Sequence, residues 1–339
     1  MSVLEAKPQE YVCRSSLPTG PEELLVTARK VWLGKTTLVA RALPDRAVRM
    51  IGAWCFLDHY GPEDVSDAPG MQVPAHPHTG LQTVSWLVAG EVEHRDSLGT
   101  RAMVTPGTLN IMTAGHGIVH SEMSPVDKPP TLHGLQLWVA LPDGDRDGPP
   151  RFDRYVDLPV IERPGVRGQV LIGELDGVRS PAISFSPLVG ADLTLDPGAT
   201  VELATGTAHE HGVFAVSGEV TCGGDVAATT DQLIYLGTGR ETVTLTAGGD
   251  GARVLLLGGE PFAEEIVMWW NFIGRTHDEV AGFREQWEQR AGELGTERFP
   301  PVVTRDERVM EAPAMPTVPL KPRPRRPPER QFPTSEGGR

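Results

Sequence analysis

Residues 75–90, AHPHTGLQTVSWLVAG, place two histidines immediately before a strongly apolar run. The run TVSWLVA (residues 83–89) has the length and the β-branched and aromatic content of a buried strand. His76 and His78 stand at positions i and i+2, which point to the same face of a strand about 6.6 Å apart. Two imidazoles held in this way can converge on one metal ion.

A second pair with the same spacing follows in GIVHSEM (residues 117–123), where Glu122 stands two residues after His120. Three neutral imidazoles and one carboxylate leave open positions on an octahedral metal, as in oxygen-activating sites. The pattern lacks the thiolates of a structural zinc site. Two such pairs in a chain with ten histidines predict a metal site rather than solvated surface histidines. The predicted ligands are His76, His78, His120 and Glu122.

The residues around these pairs predict a chain built from short strands. Apolar segments broken by glycine and proline fill residues 26–142, and the composition of 38 Gly and 31 Pro suits tight turns. A second strand series of similar length follows the polar break PDGDRDGPPR at residues 142–151. Almost no helical periodicity interrupts either series. We therefore predict an all-β protein of two tandem modules of the sandwich or jelly-roll kind.

The predicted boundaries follow from these breaks. We expect an N-terminal extension over residues 1–25, a first module with the metal site over 26–143, and a second, metal-free module over 152–275. Thr276 and Glu279 form a capping box, which predicts a helix over residues 276–293 with an apolar face. Residues 294–339 are rich in proline and arginine and are predicted to be disordered.

Composition narrows the partners and the compartment. The net charge of −14 argues against nucleic acid or an anionic membrane as a partner of the folded part. Three scattered cysteines, Cys13, Cys55 and Cys222, form no disulfide framework and favour a reducing compartment. No apolar run approaches the roughly 18 residues of a membrane span, and residues 1–12 do not resemble a secretory signal. We expect a cytoplasmic protein.

Longer stretches of the chain resemble the pirin family of the cupin superfamily. Gly70 followed by His76 and His78 resembles the first cupin motif. The stretches that resemble pirins are RMIGAWCFLDHYGP (49–62), HPHTGLQTVSWLVAGEVEHRDSLG (76–99), PGTLNIMTAGHGIVHSEM (106–123) and LHGLQLWVALP (132–142). The resemblance covers roughly residues 26–275. It implies a bicupin, that is, two tandem cupin (jelly-roll β-barrel) domains.

The resemblance also implies a metal and an activity. The same four residues would be the ligands, and the metal would be Fe(II), with other divalent transition metals as substitutes. Several pirins have been assigned quercetin 2,3-dioxygenase (quercetinase) activity, in which a metal-bound flavonol reacts with O₂, its central ring opens and carbon monoxide leaves. Other pirins are iron-dependent or redox-sensing regulators that bind a protein partner.

One position departs from the cupin pattern. Gln82 stands where cupins and many pirins have a glutamate, which in cupins is often a ligand or a base. Gln82 is uncharged and cannot take the proton of a flavonol hydroxyl, so Glu122 is the alternative acceptor. We expect both residues to be catalytic positions. The departure favours the regulatory alternative, whereas the intact ligand set favours the dioxygenase.

Four further residues are predicted to line the pocket or to support the ligands from behind: His116, His94, Trp86 and Met112. For His116 and His94 the alternatives are a solvated turn position and a structural hydrogen bond. His209 and His211 form another HxH in the second module, but the chain has no second His-x-Glu downstream of them. We expect them to bind no metal. We expect a small aromatic substrate and a monomer, without nucleic acid or membrane as a partner.

Overall fold

The computed structural model describes residues 11–13, 20–33, 37–289, 295–304 and 308–321. These residues form 25 strands and one α-helix. The strands are β1 (Tyr11–Cys13), β2 (Pro21–Thr27), β3 (Arg29–Leu33), β4 (Thr37–Leu43), β5 (Trp54–Asp64), β6 (Gln72–His78), β7 (Leu81–Ala89), β8 (Val92–Asp96), β9 (Arg101–Val104), β10 (Leu109–Thr113), β11 (Ile118–Met123), β12 (Thr131–Ala140), β13 (Arg151–Tyr155), β14 (Val160–Arg163), β15 (Val166–Ile172), β16 (Glu174–Leu175), β17 (Val178–Arg179), β18 (Leu188–Leu195), β19 (Thr200–Ala204), β20 (Glu210–Thr221), β21 (Ala227–Thr229), β22 (Gln232–Gly237), β23 (Thr242–Gly259), β24 (Ile266–Trp269) and β25 (Phe272–Gly274). The helix α1 is His277–Gln289.

The first barrel is made of two antiparallel sheets. The larger sheet has the order β13-β10-β7-β12-β5-β4-β3, and the smaller has the order β6-β11-β8-β9. Met112 of the larger sheet and Ile118 of the smaller share a buried apolar cluster with Phe152. These residues therefore mark the inner side of the barrel. Successive residues of a strand point to opposite faces. The positions of Met112, Ile118 and Phe152 therefore also show which residues of the neighbouring strands point into the barrel.

The second barrel is a nine-stranded antiparallel sheet in which β14-β15-β18-β23-β20-β22-β2 form the main path, with β19 on β23 and β21 on β20. One apolar cluster consists of residues of this barrel alone, and a larger cluster contains residues of both barrels. The prediction of an all-β protein with two tandem cupin domains and one C-terminal helix is therefore confirmed.

The outer face of the large sheet packs against the second barrel. Trp86 is 1% exposed, and its Nε1 donates a hydrogen bond of 2.7 Å to Asp192 Oδ2 on β18. Gly52 N donates to Glu210 Oε1 of β20 at 2.6 Å. Trp86 was predicted to line the metal pocket, but it lies at this domain interface instead. The reason is strand alternation, which turns Trp86 away from the inner side of β7.

The ends of both barrels differ from the predicted boundaries. β2 pairs with β22 of the second barrel, although residues 1–25 were expected to be an extension. β13 pairs with β10, so the first barrel continues beyond the predicted limit at residue 143. Both strands join their barrels by pairing with strands distant in sequence. Local breaks in the sequence do not indicate such pairing. Residues 1–10 and 14–19 of the predicted extension lie outside the described residues.

Helix α1 begins as the capping box predicts, because Glu279 N donates to Thr276 Oγ1 at 3.2 Å. Its apolar face, Val280, Phe283 and Trp287, is buried. The end of the predicted helix, residues 290–293, lies outside the described residues. Among the described helices none is long and apolar enough to cross a membrane.

The chain after the helix returns to the first barrel. Phe299 is fully buried, and Ala75 N donates to Arg308 O while Met310 N donates to Ala75 O. Trp287 Nε1 donates to Met310 O at 2.8 Å, which ties the segment to the helix. The prediction of disorder from residue 294 is therefore wrong for the described residues 295–304 and 308–321. Its remainder, residues 322–339, lies outside the described part of the chain.

Candidate metal centre

Three of the predicted ligands meet inside the first barrel. His76 and His120 are direct partners in the β6–β11 ladder, and His78 lies two residues further along β6. The ring centroids of these three histidines are 4.3 to 5.0 Å apart. One ligating atom from each lies within 4.8 Å of the others, and all three side chains are fully buried. Residues of both sequence pairs thus meet in one cluster.

Hydrogen bonds on the far side of each ring set the tautomers. His76 Nδ1 lies 2.7 Å from Pro74 O, and His78 Nδ1 lies 3.0 Å from Asn271 O. A carbonyl can only accept, so both Nδ1 atoms carry the proton and both Nε2 atoms present a lone pair. The Nε2 atoms of all three histidines have no hydrogen-bond partner in the described part of the chain.

His120 is held by a second histidine rather than by a carbonyl. Its Nδ1 lies 3.4 Å from His94 Nδ1, and His94 Nε2 lies 3.0 Å from Asp96 Oδ2. The carboxylate accepts from His94 Nε2–H, which leaves His94 Nδ1 as the acceptor for His120 Nδ1–H. His94 therefore contacts His120 from behind, as a group that supports a metal ligand would. Such partners orient metal ligands and raise their basicity.

Burial keeps the histidines neutral. It lowers the pKa of His76 to about 3, and it lowers the pKa values of His78 and His120 well below their ordinary range. Neutral imidazoles with free Nε2 lone pairs are the form that binds a metal. Three buried acceptors without donors, in a cluster of this size, fit a divalent transition metal.

Glu122 lies beside this cluster on the same side of β11. It is 2% exposed, and Ser85 Oγ on the opposite wall lies 3.4 Å from its Oε1. Between Glu122 and His120 the β6–β11 ladder shifts register, with one extra residue on β6. Bulges of this kind re-aim side chains next to functional sites. Within the described residues the compact group of three ligands does not include Glu122.

Tyr60 approaches Glu122 from β5. Burial, and then the negative charge of Glu122, raise the pKa of Tyr60 well above its ordinary value. The tyrosine therefore stays protonated beside the carboxylate. Sequence reasoning missed Tyr60 and Ser85, because their positions depend on which strands pair.

Gln82 does not share this space. It is buried, but its Nε2 donates to Thr113 Oγ1 at 3.0 Å, and it pairs with Thr113 across the β7–β10 ladder. Thr113 is adjacent to Met112, which faces inward, so both Gln82 and Thr113 face outward. The structure thus differs from the expectation that Gln82 is a catalytic position, which rested on alignment with the cupin motif alone.

The other predicted pocket residues divide between the site and its surroundings. Met112 lies inside, packed with Phe152, whose ring stacks on His94 with centroids 4.5 Å apart. His116 is outside the cluster, with its Nδ1 3.1 Å from Gly148 O.

His209 and His211 of the second barrel have ring centroids 6.0 Å apart. Burial lowers the pKa of His211 to about 4. In the described residues no third His, Cys, Asp or Glu completes a compact group with this pair.

The comparisons with known proteins agree with this geometry. The family model Pirin matches residues 36–139, and the model for the Pirin C-terminal cupin domain matches residues 190–293. A Pseudomonas aeruginosa protein named "Putative quercetin 2,3-dioxygenase PA1205" is 45% identical over 280 residues, which cover 82% of this chain and 88% of the relative.

Solved structures give the same fold. The crystal structure of a quercetin 2,3-dioxygenase from Acinetobacter baumannii has a TM-score of 0.82 at 39% identity, covering 88% of this chain and 98% of that one. A bacterial pirin from Escherichia coli, solved in complex with nickel(II), has a TM-score of 0.55 at 20% identity, covering 71% of this chain and 100% of that one. At that identity the likeness concerns the fold alone.

Proposed function

The chain belongs to the pirin family, and we propose that its first barrel is a metal-dependent dioxygenase of the quercetinase type. The substrate would be a flavonol or a similar enolic aromatic. The observation that carries this proposal is the convergence of three buried, partnerless Nε2 atoms within 4.8 Å of one another. The relatives named after quercetin dioxygenation support it.

The proposed ligands are His76, His78, His120 and Glu122. Nitrogen and carboxylate donors suit Fe(II) and the other divalent metals of the first transition row. The family resemblance favours Fe(II), and nickel(II) is the ion bound by the E. coli relative. When bound, the metal would polarise the substrate oxygens as a Lewis acid, and it would supply the electron-transfer chemistry that the reaction of the substrate with O₂ needs.

The chain's own residues would position the substrate and take its proton. A flavonol must lose the proton of its 3-hydroxyl to react as an enolate, and Glu122 is the carboxylate beside the histidines that can accept it. Ser85 Oγ lies 3.4 Å from Glu122 Oε1, so the carboxylate faces the barrel interior. The apolar cluster of Met112, Ile118 and Phe152 limits water around the reacting ring.

Gln82 does not argue against this activity. Its uncharged amide was the sequence feature that favoured the regulatory alternative, a non-catalytic redox sensor that binds a protein partner. Since Gln82 faces Thr113 on the outer side of β7, the substitution leaves the donor set unchanged. The dioxygenase is therefore the better supported of the two functions.

Oxygen consumption tests the proposal. Metal-loaded protein should consume O₂ when quercetin is added and release about one carbon monoxide per turnover, with both O₂ atoms entering the ring-opened product. The variant His120→Ala should be inactive, whereas the matched control His116→Ala should retain activity because His116 bonds Gly148 outside the cluster. Full metal loading without O₂ consumption would refute the dioxygenase and favour the redox sensor.

A further inference from the structure

A row of polar side chains crosses the inner wall of the first barrel. Asn110 pairs with Ser85, Ser85 with Gln136, and Gln136 with Asp58 along the register of β10, β7, β12 and β5. Asn110 stands two residues from the inward-facing Met112, so the whole row faces the barrel interior. Ser85 also contacts Glu122, which places the row opposite the proposed ligands.

Part of this row is satisfied within the protein. Asp58 accepts two hydrogen bonds of 2.8 Å from Arg41, its cross-strand partner on β4. Ser85 Oγ donates a hydrogen bond of 2.9 Å to Gln136 Oε1, so Gln136 Nε2 is not the atom that bonds Ser85. Asn110 Nδ2 lies 3.3 Å from Thr108 O, which fixes the orientation of its amide, since a carbonyl can only accept.

Two atoms of the row are left over. Asn110 Oδ1, an acceptor, and Gln136 Nε2, a donor, have no hydrogen-bond partner in the described residues. Both side chains are nearly fully buried, at 2% and 1% exposure. A buried polar atom without a partner costs free energy, and its retention indicates that something else satisfies it. Such atoms bond either ordered water or a bound organic molecule, and the position of the row opposite the proposed ligands favours the organic molecule.

The strand spacing between the two residues limits the size of that molecule. Asn110 and Gln136 stand on either side of Ser85, two strand spacings or about 10 Å apart. Only an extended ligand with polar groups near both edges reaches both. One edge must donate to Asn110 Oδ1 and the other must accept from Gln136 Nε2.

We propose that Asn110 and Gln136 recognise the two polar edges of a polyhydroxylated aromatic ligand held at the metal centre. Asn110 Oδ1 accepts from a ring hydroxyl, and Gln136 Nε2 donates to an oxygen at the opposite edge. This inference rests on the proposed function for the placement of the ligand. It adds that the barrel distinguishes quercetin from 3-hydroxyflavone, which keeps the chelating oxygens but lacks the ring hydroxyls.

Binding measured without turnover tests the inference. The dissociation constants of quercetin and 3-hydroxyflavone are determined under argon for metal-loaded wild type, Asn110→Leu and Gln136→Met. Each substitution should weaken quercetin binding about tenfold, the effect of one lost hydrogen bond, and leave 3-hydroxyflavone binding unchanged. Gln82→Met is the matched control, a buried amide on the outer face of β7. If the leucine variant does not fold, Asn110→Ala gives the same comparison.

The outcomes separate this inference from the dioxygenase proposal. Equal losses for both ligands, no loss for either, or no binding of quercetin to the wild type would overturn the recognition by Asn110 and Gln136. If the variants lose quercetin selectively while the wild type consumes no O₂ in air, recognition is supported and the dioxygenase fails. If wild type and variants all consume O₂ with the same ligand preference, only the recognition fails.

Discussion

His76 and His120 face each other as direct partners across the antiparallel β6–β11 ladder, with ring centroids 4.3 Å apart. This one pairing brings His76, His78 and His120 into a single cluster, because His78 projects from the same face of β6 as His76. The far side of His76 is bonded to Pro74 O, and that of His120 to His94. The relationship therefore fixes both the position and the tautomer of the nitrogen atoms proposed to bind the metal.

Glu122 should contribute to metal affinity as the fourth ligand. We expect Glu122→Gln to weaken Fe(II) binding at least about tenfold, since an amide oxygen is a weaker donor than a carboxylate for such a metal. Competition with a chromophoric chelator measures this. Glu93→Gln is the control, because Glu93 binds Arg101 and Arg95 away from the cluster. Equal affinity in Glu122→Gln and wild type would remove Glu122 from the ligand set.

His94 should act on the metal through His120. Loss of the acceptor in His94→Leu should weaken metal binding about 10- to 100-fold, the usual cost of removing such a supporting group. His94→Gln, which restores an acceptor oxygen, should recover part of the affinity. The same chelator competition measures both variants. A leucine variant that binds the metal as tightly as wild type would contradict the role assigned to the 3.4 Å contact.

Acid should destabilise the domain interface through His133. Its Nε2 lies 2.8 Å from His59 Nε2, and His59 Nδ1 lies 2.7 Å from Asp231 Oδ1. His59 Nδ1–H donates to Asp231, so His59 Nε2 has no proton and accepts a hydrogen bond from His133 Nε2–H. Charged groups of the second barrel, Arg253 and Asp192, also face His133.

Burial is the main cause that lowers the pKa of His133 to about 4. This pKa is below the pKa of histidine in the unfolded chain. The stability that neutral His133 contributes to the folded protein is therefore complete above about pH 6.5 and is lost as the pH falls toward 4. The loss reaches at most about 1.4 kcal/mol per pH unit. Urea unfolding between pH 7 and 5 should show a shallower dependence in His133→Gln than in wild type. Parallel curves would disprove this assignment.

The segment after the helix should stabilise the first barrel. Phe299→Ala should lower the free energy of unfolding by about 3–5 kcal/mol, the usual effect of truncating a buried phenylalanine. Val303→Ala is the control within the same segment, because Val303 is 82% exposed; its effect should stay within about 0.5 kcal/mol. Denaturant unfolding measures both. Equal stabilities would indicate that the segment does not pack on the barrel in solution.

Local patterns were sufficient to predict the strands, the helix cap and the three members of the histidine cluster. His76, His78 and His120 could be found from sequence because an i, i+2 pair needs only an extended strand to share a face. The helix could be found because Thr276 and Glu279 are close in sequence.

Long-range pairing decided what sequence reasoning missed. Gln82 was assigned a catalytic role and Trp86 was assigned to the pocket, but the inward face of β7 depends on its pairing with β10 and β12. The row that includes Asn110 and Gln136 likewise exists only through the register of separate strands. The docking of Met310 on Ala75 joins residues more than two hundred positions apart, which composition alone cannot indicate.

The metal centre of the first barrel is tested most simply by the metal stoichiometry of the apo-protein, titrated anaerobically with Fe(II). We expect one tightly bound equivalent per chain for wild type and for the double variant His209→Ala/His211→Ala. We expect that equivalent to be lost in His76→Leu/His120→Leu. A full equivalent retained by His76→Leu/His120→Leu, or lost when only His209 and His211 are replaced, would contradict a metal centre in the first barrel.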